Sequence, residues 1–311
     1  MAAKSRPASD PVVDGRQWIN HRHYRTYEIA LRFTRAVGAS ADLRDLEFLN
    51  DYIVGFFQPW QHETAVHKFV RVIADEMFLD DTNGPYISIY EQTEVGLNLR
   101  RYLPVDIALR AYGVNDEEPF LIPEPVMKES REGNITSLTE TNDAADACYE
   151  YTCDLQMTEV YDQLLAQISD EVFHTIFPNR ILLGRLHRTL SLYVQQYGPD
   201  SFGSDLLDEY QDSGKLFKSE GVLKRKAPPR WVKSAVFFRD RGHCAICGRN
   251  LTGLLDALPA DHFDHVVPLA AGGLNDLSNL QLLCESCNLR KSSQLLAPSG
   301  QQRRYYRRPR K

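Results

Sequence analysis

Two cysteine pairs, Cys244-Ala-Ile-Cys247 and Cys284-Glu-Ser-Cys287, indicate the fold of the C-terminal part of this 311-residue chain. Four thiolates in two Cys-x-x-Cys pairs favour a tetrahedral structural Zn²⁺ site, which has no open position for a substrate. In a simple zinc ribbon the two pairs are about 15–20 residues apart. Here 36 residues, 248–283, separate them. The spacing therefore predicts a structural zinc ion with a sizeable insert between its two halves.

The insert places an imidazole beside a carboxylate. Its sequence contains Asp264-His265-Val-Val-Pro268, then Gly272-Gly273, then Asn279-Leu-Gln-Leu-Leu-Cys284. The β-prone residues from Phe263 onward favour a strand that ends at Pro268, and the two glycines favour a turn. A second extended segment leads into Cys284, and a helix is expected from Glu285. The order is therefore strand, loop, strand and helix.

The segment resembles the HNH nuclease family over about residues 230–295. The resemblance rests on the combination of Cys-x-x-Cys, Asp-His-x-x-Pro, Gly-Gly and Asn-Leu-Gln-x-Leu-Cys-x-x-Cys-Asn-x-x-Lys. It implies a compact, zinc-stapled ββα-metal fold that cuts nucleic acid. It also implies that His265 is the general base and that Asn279 orients the base and ties down the loop.

The resemblance further implies a second metal, a catalytic divalent cation bound by Asp264 and Asn288. A carboxylate is a hard oxygen ligand that suits Mg²⁺ or Mn²⁺. Position 288 holds Asn where the motif also accepts His, and Asn is the weaker ligand. An imidazole has a pKa near neutrality, which suits His265 to take a proton from water.

Other interpretations of these residues stay open. His265 could be a structural histidine or a further zinc ligand. His262 also lies in the insert, but it lacks the neighbouring proline and glycines of the motif. The whole segment could be a zinc-stabilised nucleic-acid-binding module without catalysis. Binding alone would require none of the motif residues, so their presence argues against this interpretation.

Charge is unevenly distributed along the chain. Residues 221–311 contain 16 Lys and Arg against 6 Asp and Glu, whereas the whole chain has a net charge of −6. A basic C-terminal part joined to an acidic body indicates that one part binds polyanions. The predicted nucleic-acid contacts are Arg230, Lys233, Arg239, Arg290, Lys291, Arg303, Arg304, Arg307 and Arg308.

The chain is predicted to consist of a mainly α N-terminal domain and a small α+β HNH domain. The expected divisions are a disordered 1–16, a helical domain 17–220, a basic linker 221–230, the HNH domain 231–297 and a basic tail 298–311. Apolar periodicity predicts helices at Arg25–Val37, Leu43–Phe57, Glu63–Leu79, Glu94–Tyr102, Val105–Tyr112, 156–176, 180–197 and Arg230–Arg241. Residues 114–140 are expected to be a loop.

These features together predict a metal-dependent endonuclease, with DNA as the expected substrate. Restriction or anti-phage defence would suit a nuclease joined to a sensing or docking domain, as would a phage or mobile-element homing-type nuclease. The acidic helical domain is a candidate surface for a protein partner or for self-association. The sequence has neither a membrane-spanning run nor a signal peptide, so a cytoplasmic protein is expected.

Overall fold

The computed structural model describes residues 15–38, 53–93, 96–114, 118–123, 126–129, 135–139, 142–202, 212–252, 262–292 and 294. In this part of the chain the α-helices are α1 (Gly15–Gly38), α2 (Ala65–Asp80), α3 (Pro104–Ala111), α4 (Asn142–Gln156), α5 (Glu159–Ile176), α6 (Arg180–Val194), α7 (Arg230–Arg239) and α8 (Glu285–Lys291). The helices before residue 200 confirm a mainly α N-terminal region. The described helices include none that is both long and apolar enough to span a membrane.

The strands form small antiparallel pairs. They are β1 (Ile87–Thr93), β2 (Gly96–Tyr102), β3 (Val126–Glu129), β4 (Ile135–Thr139), β5 (Phe217–Ser219), β6 (Val222–Leu223), β7 (Phe263–His265) and β8 (Leu280–Leu282). Each odd-numbered strand pairs with the next strand in the chain. The β7–β8 pair and helix α8 form the predicted α+β element of the C-terminal part.

Two predictions for the N-terminal region were wrong. Residues 94–102 were expected to be helical, but Gly96–Tyr102 is strand β2, in which Tyr102 pairs with Ile87 of β1. Alternation explains the strand, because Tyr102 is fully buried whereas Leu99 is 49% exposed. The expected loop at 114–140 contains the β3–β4 hairpin. The expected helix Leu43–Phe57 lies partly outside the described residues, and Ile53–Phe56 forms a 3-10 helix.

Helix ends follow local sequence signals. Helix α5 ends at Ile176, and α6 begins after Asn179, whose side-chain oxygen accepts a hydrogen bond from the Leu182 amide at 3.2 Å. This is a standard N-cap, and it explains the break at Phe177-Pro178-Asn179. Helix α7 begins directly after Pro229 and ends at Arg239, two residues before the predicted end.

The contacts of the chain divide it into two compact units. The first comprises Met1–Arg32 and Phe69–Val172, and its core includes Leu164, Ile168 and Val172 of α5. The second comprises Phe33–Lys68 and Phe173–Lys311, and it therefore contains residues from both sides of the predicted linker.

The second unit joins its N-terminal elements to the segment between the cysteine pairs through buried polar contacts. His187 of α6 hydrogen-bonds Ser278 at 2.7 Å between ring Nε2 and Oγ. The Ala65 amide, at the start of α2, donates to Asp276 Oδ2 at 2.8 Å. Burial lowers the pKa of His187 to about 4, so its ring is neutral at pH 7. These contacts tie helices α2 and α6 to the 3-10 turn Leu277–Asn279.

A fragment of residues 221–311 is expected not to fold as an independent domain. The fragment would lack His187 and Ala65, so Ser278 and Asp276 would lose their buried hydrogen-bond partners. Each buried polar group left without a partner lowers the free energy of unfolding by about 1–3 kcal/mol. Zinc-loaded fragment and full chain should be compared by circular dichroism during heating. A cooperative transition in the fragment at the temperature found for the full chain would contradict this expectation.

Candidate functional site

The four cysteines of the two pairs converge on one point. Their sulfur atoms all lie within 4.8 Å of one another, and Cys247 Sγ is 3.6 Å from Cys284 Sγ. A tetrahedral ion with Zn–S bonds of about 2.3 Å holds its sulfurs about 3.8 Å apart. The four sulfurs therefore fit a structural zinc ion.

Backbone turns place the sulfurs. Gly248 adopts a φ of 71° and donates its amide to Cys244 O at 2.9 Å, so the first pair forms a tight knuckle. The Ala245 amide donates to Leu282 O at 2.7 Å, which fixes this knuckle to strand β8. Cys284 is the N-cap residue of α8, so the second pair lies at the start of a helix.

The electrostatics of the cluster favour a cation. Burial acts to raise the pKa of the Cys284 thiol, but hydrogen bonds from Ser286 and Cys287 outweigh it and lower this pKa to about 6. Burial and the neighbouring sulfurs raise the pKa of Cys287 to about 12. Several thiolates so close together repel one another, and a bound Zn²⁺ removes this repulsion.

Strands β7 and β8 carry the predicted catalytic residues. Asp264 pairs with Gln281 and His265 with Leu280 in the antiparallel register. The loop that joins the strands is held by Asn279, whose side chain is fully buried. Its Nδ2 donates to Val267 O at 3.1 Å and to Leu274 O at 2.9 Å, and its Oδ1 accepts the Val267 amide at 2.9 Å. Asn279 thus closes the loop through three side-chain hydrogen bonds.

His265 ends strand β7 in a closed environment, with 3% of its surface exposed. Its ring centroid lies 6.1 Å from that of Trp60. Neither ring nitrogen makes a hydrogen bond of normal geometry within the described residues, although the Asn275 side chain approaches the ring. Burial, followed by the positive charge of Arg225, lowers the pKa of His265 to about 3. The imidazole is therefore neutral at pH 7, the form that can accept a proton.

Asp264 faces a buried ammonium group. Lys291 Nζ, on helix α8, lies 2.7 Å from Asp264 Oδ2 and donates a hydrogen bond to His265 O at 2.8 Å. The contact joins the end of α8 to both residues of the Asp-His pair. Asn288 is half-buried on the same helix, three residues earlier, so it shares a helix face with Lys291. Lys291 therefore reaches strand β7 from helix α8, and Asn288 lies about one turn earlier on the same helix.

Residues 244–294 match the model of a family described as HNH endonuclease. The chain contains an HNH endonuclease domain. The cysteine cluster, the β7–β8 pair and helix α8 all lie within the HNH domain, whereas the N-terminal region lies outside the match. No curated protein and no solved structure gives a match to the chain.

The positions of two basic residues do not fit their predicted phosphate contacts. Lys291 is completely buried in the HNH domain, where it neutralises Asp264. The side chain of Arg239 is 1% exposed and binds Asp240 and the Leu280 carbonyl, with its guanidinium over the Phe177 ring. Both side chains are buried and paired with groups of the protein itself, so neither is available to bind a phosphate of a nucleic acid.

The remaining predicted contacts differ in accessibility. Arg230 and Arg290 are exposed and Lys233 is half-buried, so these three stay candidates for phosphate binding. Arg290 also donates to Cys287 Sγ at 3.4 Å, which links it to the cysteine cluster. The predicted contacts in the tail lie outside the described residues, namely Arg303, Arg304, Arg307 and Arg308.

Helix α7 buries the side formed by Val232, Val236 and Phe237, whereas Phe238 is 68% exposed. In a helix of 10 residues, tertiary contacts decide the buried face. Here the Asp240 carboxylate accepts the Leu282 amide at 2.8 Å, which orients the end of α7 against β8.

Several residues near the site carry no recognisable signal in the sequence. Trp60 and His187 precede the HNH domain by more than 50 residues in the chain, and only the fold brings them to it. Gln281 lies opposite Asp264 with a completely buried carboxamide that has no hydrogen-bond partner among the described residues. The alternating pattern Asn-Leu-Gln-Leu predicted a strand but could not identify Gln281 as a buried polar group.

Replacing Lys291 with Met is expected to destabilise the second unit by about 3–5 kcal/mol, because it leaves a buried carboxylate without its cation. Lys218→Met is the matched control, since Lys218 is exposed and a surface change costs within about 0.5 kcal/mol. Urea denaturation of the zinc-loaded chains measures both. Unchanged stability with weakened nucleic-acid binding would instead support the original phosphate-contact prediction.

Proposed function

We propose that the chain is a metal-dependent endonuclease that hydrolyses phosphodiester bonds in DNA. The observation that carries the proposal is the buried His265 ring within an HNH domain, whose two nitrogens make no hydrogen bond of normal geometry among the described residues. A structural histidine would be expected to use its ring nitrogens. His262 does so, because its Nδ1 lies 2.8 Å from Leu283 O.

His265 would act as the general base that takes a proton from the attacking water. The neutral imidazole is the form that this step requires, and a substrate phosphate next to the ring would raise its basicity. Asn279 would act indirectly, since its hydrogen bonds to Val267 and Leu274 hold the loop that follows the base. The Lys291 bond to His265 O fixes the backbone of the base from the other side.

Asp264 and Asn288 are the residues that would hold the catalytic cation. Carboxylate and carboxamide oxygens suit Mg²⁺ or Mn²⁺, and Asp264 offers Oδ1 in addition to the Oδ2 that contacts Lys291. When bound, such a cation neutralises charge on the scissile phosphate and stabilises the leaving oxygen. The zinc cluster would have no part in this step, because four sulfurs complete its coordination.

The rival proposal is a nucleic-acid-binding module without catalysis. A plasmid-nicking assay with the full zinc-loaded chain separates the two proposals. We expect supercoiled DNA to become nicked or linear in Mg²⁺ or Mn²⁺, and EDTA added just before the DNA to prevent it. Retained DNA binding without cleavage in either metal would favour the rival. Parallel single-stranded DNA and RNA substrates identify the preferred nucleic acid.

The biological role proposed for this activity is restriction or anti-phage defence, with the acidic helical region as a sensing or docking element. A phage or mobile-element nuclease of the homing type is the alternative. Either role is proposed by analogy with other two-part nucleases. Phage plating on cells that express the wild type or His265→Ala tests the defence role. Equal plating efficiency on both strains would exclude defence against the phages tested.

A further inference from the structure

A short basic segment, consisting of Lys224, Arg225 and Lys226, is fixed to the HNH domain by one buried side chain. Asn275 Nδ2 donates to Lys224 O at 2.9 Å, and Asn275 Oδ1 accepts the Lys226 amide at 3.3 Å. These two bonds bracket Arg225 and use only backbone groups of the segment. All three basic side chains remain exposed. The segment is therefore held in a defined position with exposed side chains, and Lys224 Nζ also donates to the Lys215 carbonyl at 2.7 Å.

Asn275 also connects this segment to the surroundings of His265. Its backbone oxygen accepts the Trp60 amide at 2.9 Å, and the Trp60 ring lies beside the His265 ring. Its side chain approaches the same imidazole. Asn275 is 4% exposed, so these contacts are made in a closed setting. Trp60, His265 and the basic segment therefore meet around a single asparagine.

Arg225 is the middle residue of this segment. The two bonds of Asn275, one on either side of Arg225, hold its backbone on the same asparagine whose side chain approaches the His265 ring. Arg225 precedes the residues that match the HNH family, which begin at 244. The family match alone would not include it in the site.

We propose that Arg225 binds a backbone phosphate of the nucleic acid next to the phosphodiester bond that is hydrolysed at His265, and that Asn275 positions Arg225. A guanidinium is suited to this task, because it pairs with phosphate oxygens through two parallel hydrogen bonds and stays charged at any physiological pH. Such a contact places the strand and carries no sequence preference. This inference rests on the proposed nuclease function.

The first test measures DNA binding in the His265→Ala chain, which removes cleavage from the measurement. Each phosphate contact contributes about 0.9 to the slope of log K against log salt for a duplex. Arg225→Ala, added to the His265→Ala chain, should make that slope smaller in magnitude by about 0.9, whereas Arg225→Lys should leave the slope unchanged. Arg188→Ala is the matched control, since Arg188 is an exposed arginine on α6, and it should leave the slope unchanged.

The second test uses cleavage kinetics with His265 intact. Arg225→Ala is expected to raise KM about tenfold with little change in kcat, which is the sign of lost ground-state binding. Asn275→Ala should raise KM by a smaller factor. A slope and a KM that match the wild type in Arg225→Ala would overturn the inference. If the wild type binds DNA but does not cut it, the proposed function fails, and the salt slope still decides whether Arg225 contacts phosphate.

Discussion

Replacing Cys284 with Ser is expected to unfold the HNH domain and to release its zinc. Structural zinc sites in zinc-finger peptides contribute about 10–16 kcal/mol at pH 7, which is as large as the total stability of a typical domain at about 5–15 kcal/mol. The domain has little other regular structure, since β7 and β8 are three residues each and α8 is seven. The zinc cluster must therefore supply much of its stability.

Metal analysis and circular dichroism measure this effect on purified chains. The wild type should contain about one zinc per chain, and Cys284→Ser should contain none and should lose part of its cooperative transition. Cys153→Ser is the matched control, because Cys153 lies on α4 outside the cluster and should retain both zinc and stability. A zinc-free Cys284→Ser chain with the stability of the wild type would show that the cluster is not structural.

His265→Ala is expected to reduce the rate of DNA cleavage by about 10²–10⁴-fold, the usual contribution of a general base. Affinity for DNA should change little, because the ring is 3% exposed and contacts protein groups around it. The measurement is a single-turnover cleavage rate in Mg²⁺ or Mn²⁺, with binding measured separately in Ca²⁺. Both chains must first show the same zinc content and thermal transition.

His262→Ala is the control for this experiment. Both histidines lie in the insert, but the His262 ring is held by the Leu283 carbonyl and has no place in the proposed mechanism. Its variant should keep a rate near that of the wild type once the folded fraction is equal. Loss of cleavage in His262→Ala together with full cleavage in His265→Ala would exchange the roles of the two residues.

Local sequence signals were enough to predict the zinc cluster and the loop asparagine. Cysteine spacing is a property of a few neighbouring residues, and Gly248 supplies the positive φ that the knuckle needs. The three hydrogen bonds of the Asn279 side chain likewise join it to residues within 12 positions of itself. The helix break at Asn179 is another local feature, because an N-cap depends on one side chain and one nearby amide.

Burial of charged residues could not be predicted in the same way. Lys291 and Arg239 are cations in a basic region, and a solvated surface is the normal location for such residues. Their burial depends on Asp264, the Leu280 carbonyl and the Phe177 ring, which come near them only in the folded chain. Strand β2 was mistaken for a helix for a related reason, since pairing with β1 and not the local apolar spacing decided its conformation.

The groups that surround His265 in the fold could not be predicted from the sequence either. Trp60 lies about 200 positions before the base, and a lone tryptophan after a proline indicates no particular chemistry. Asn275 lies within the family match but does not belong to the signature that identified the family. Its importance follows from its bonds to Trp60 and to the basic segment, which the sequence does not reveal.

A crystal structure of the full chain with bound Mn²⁺, located by its anomalous scattering, would test the proposed metal sites. We expect one zinc at the four cysteines and one Mn²⁺ within about 2.0–2.3 Å of oxygens of Asp264 and Asn288, next to the His265 ring. An Mn²⁺ peak held by other residues, or Asp264 and Asn288 directed into separate cavities, would contradict this expectation.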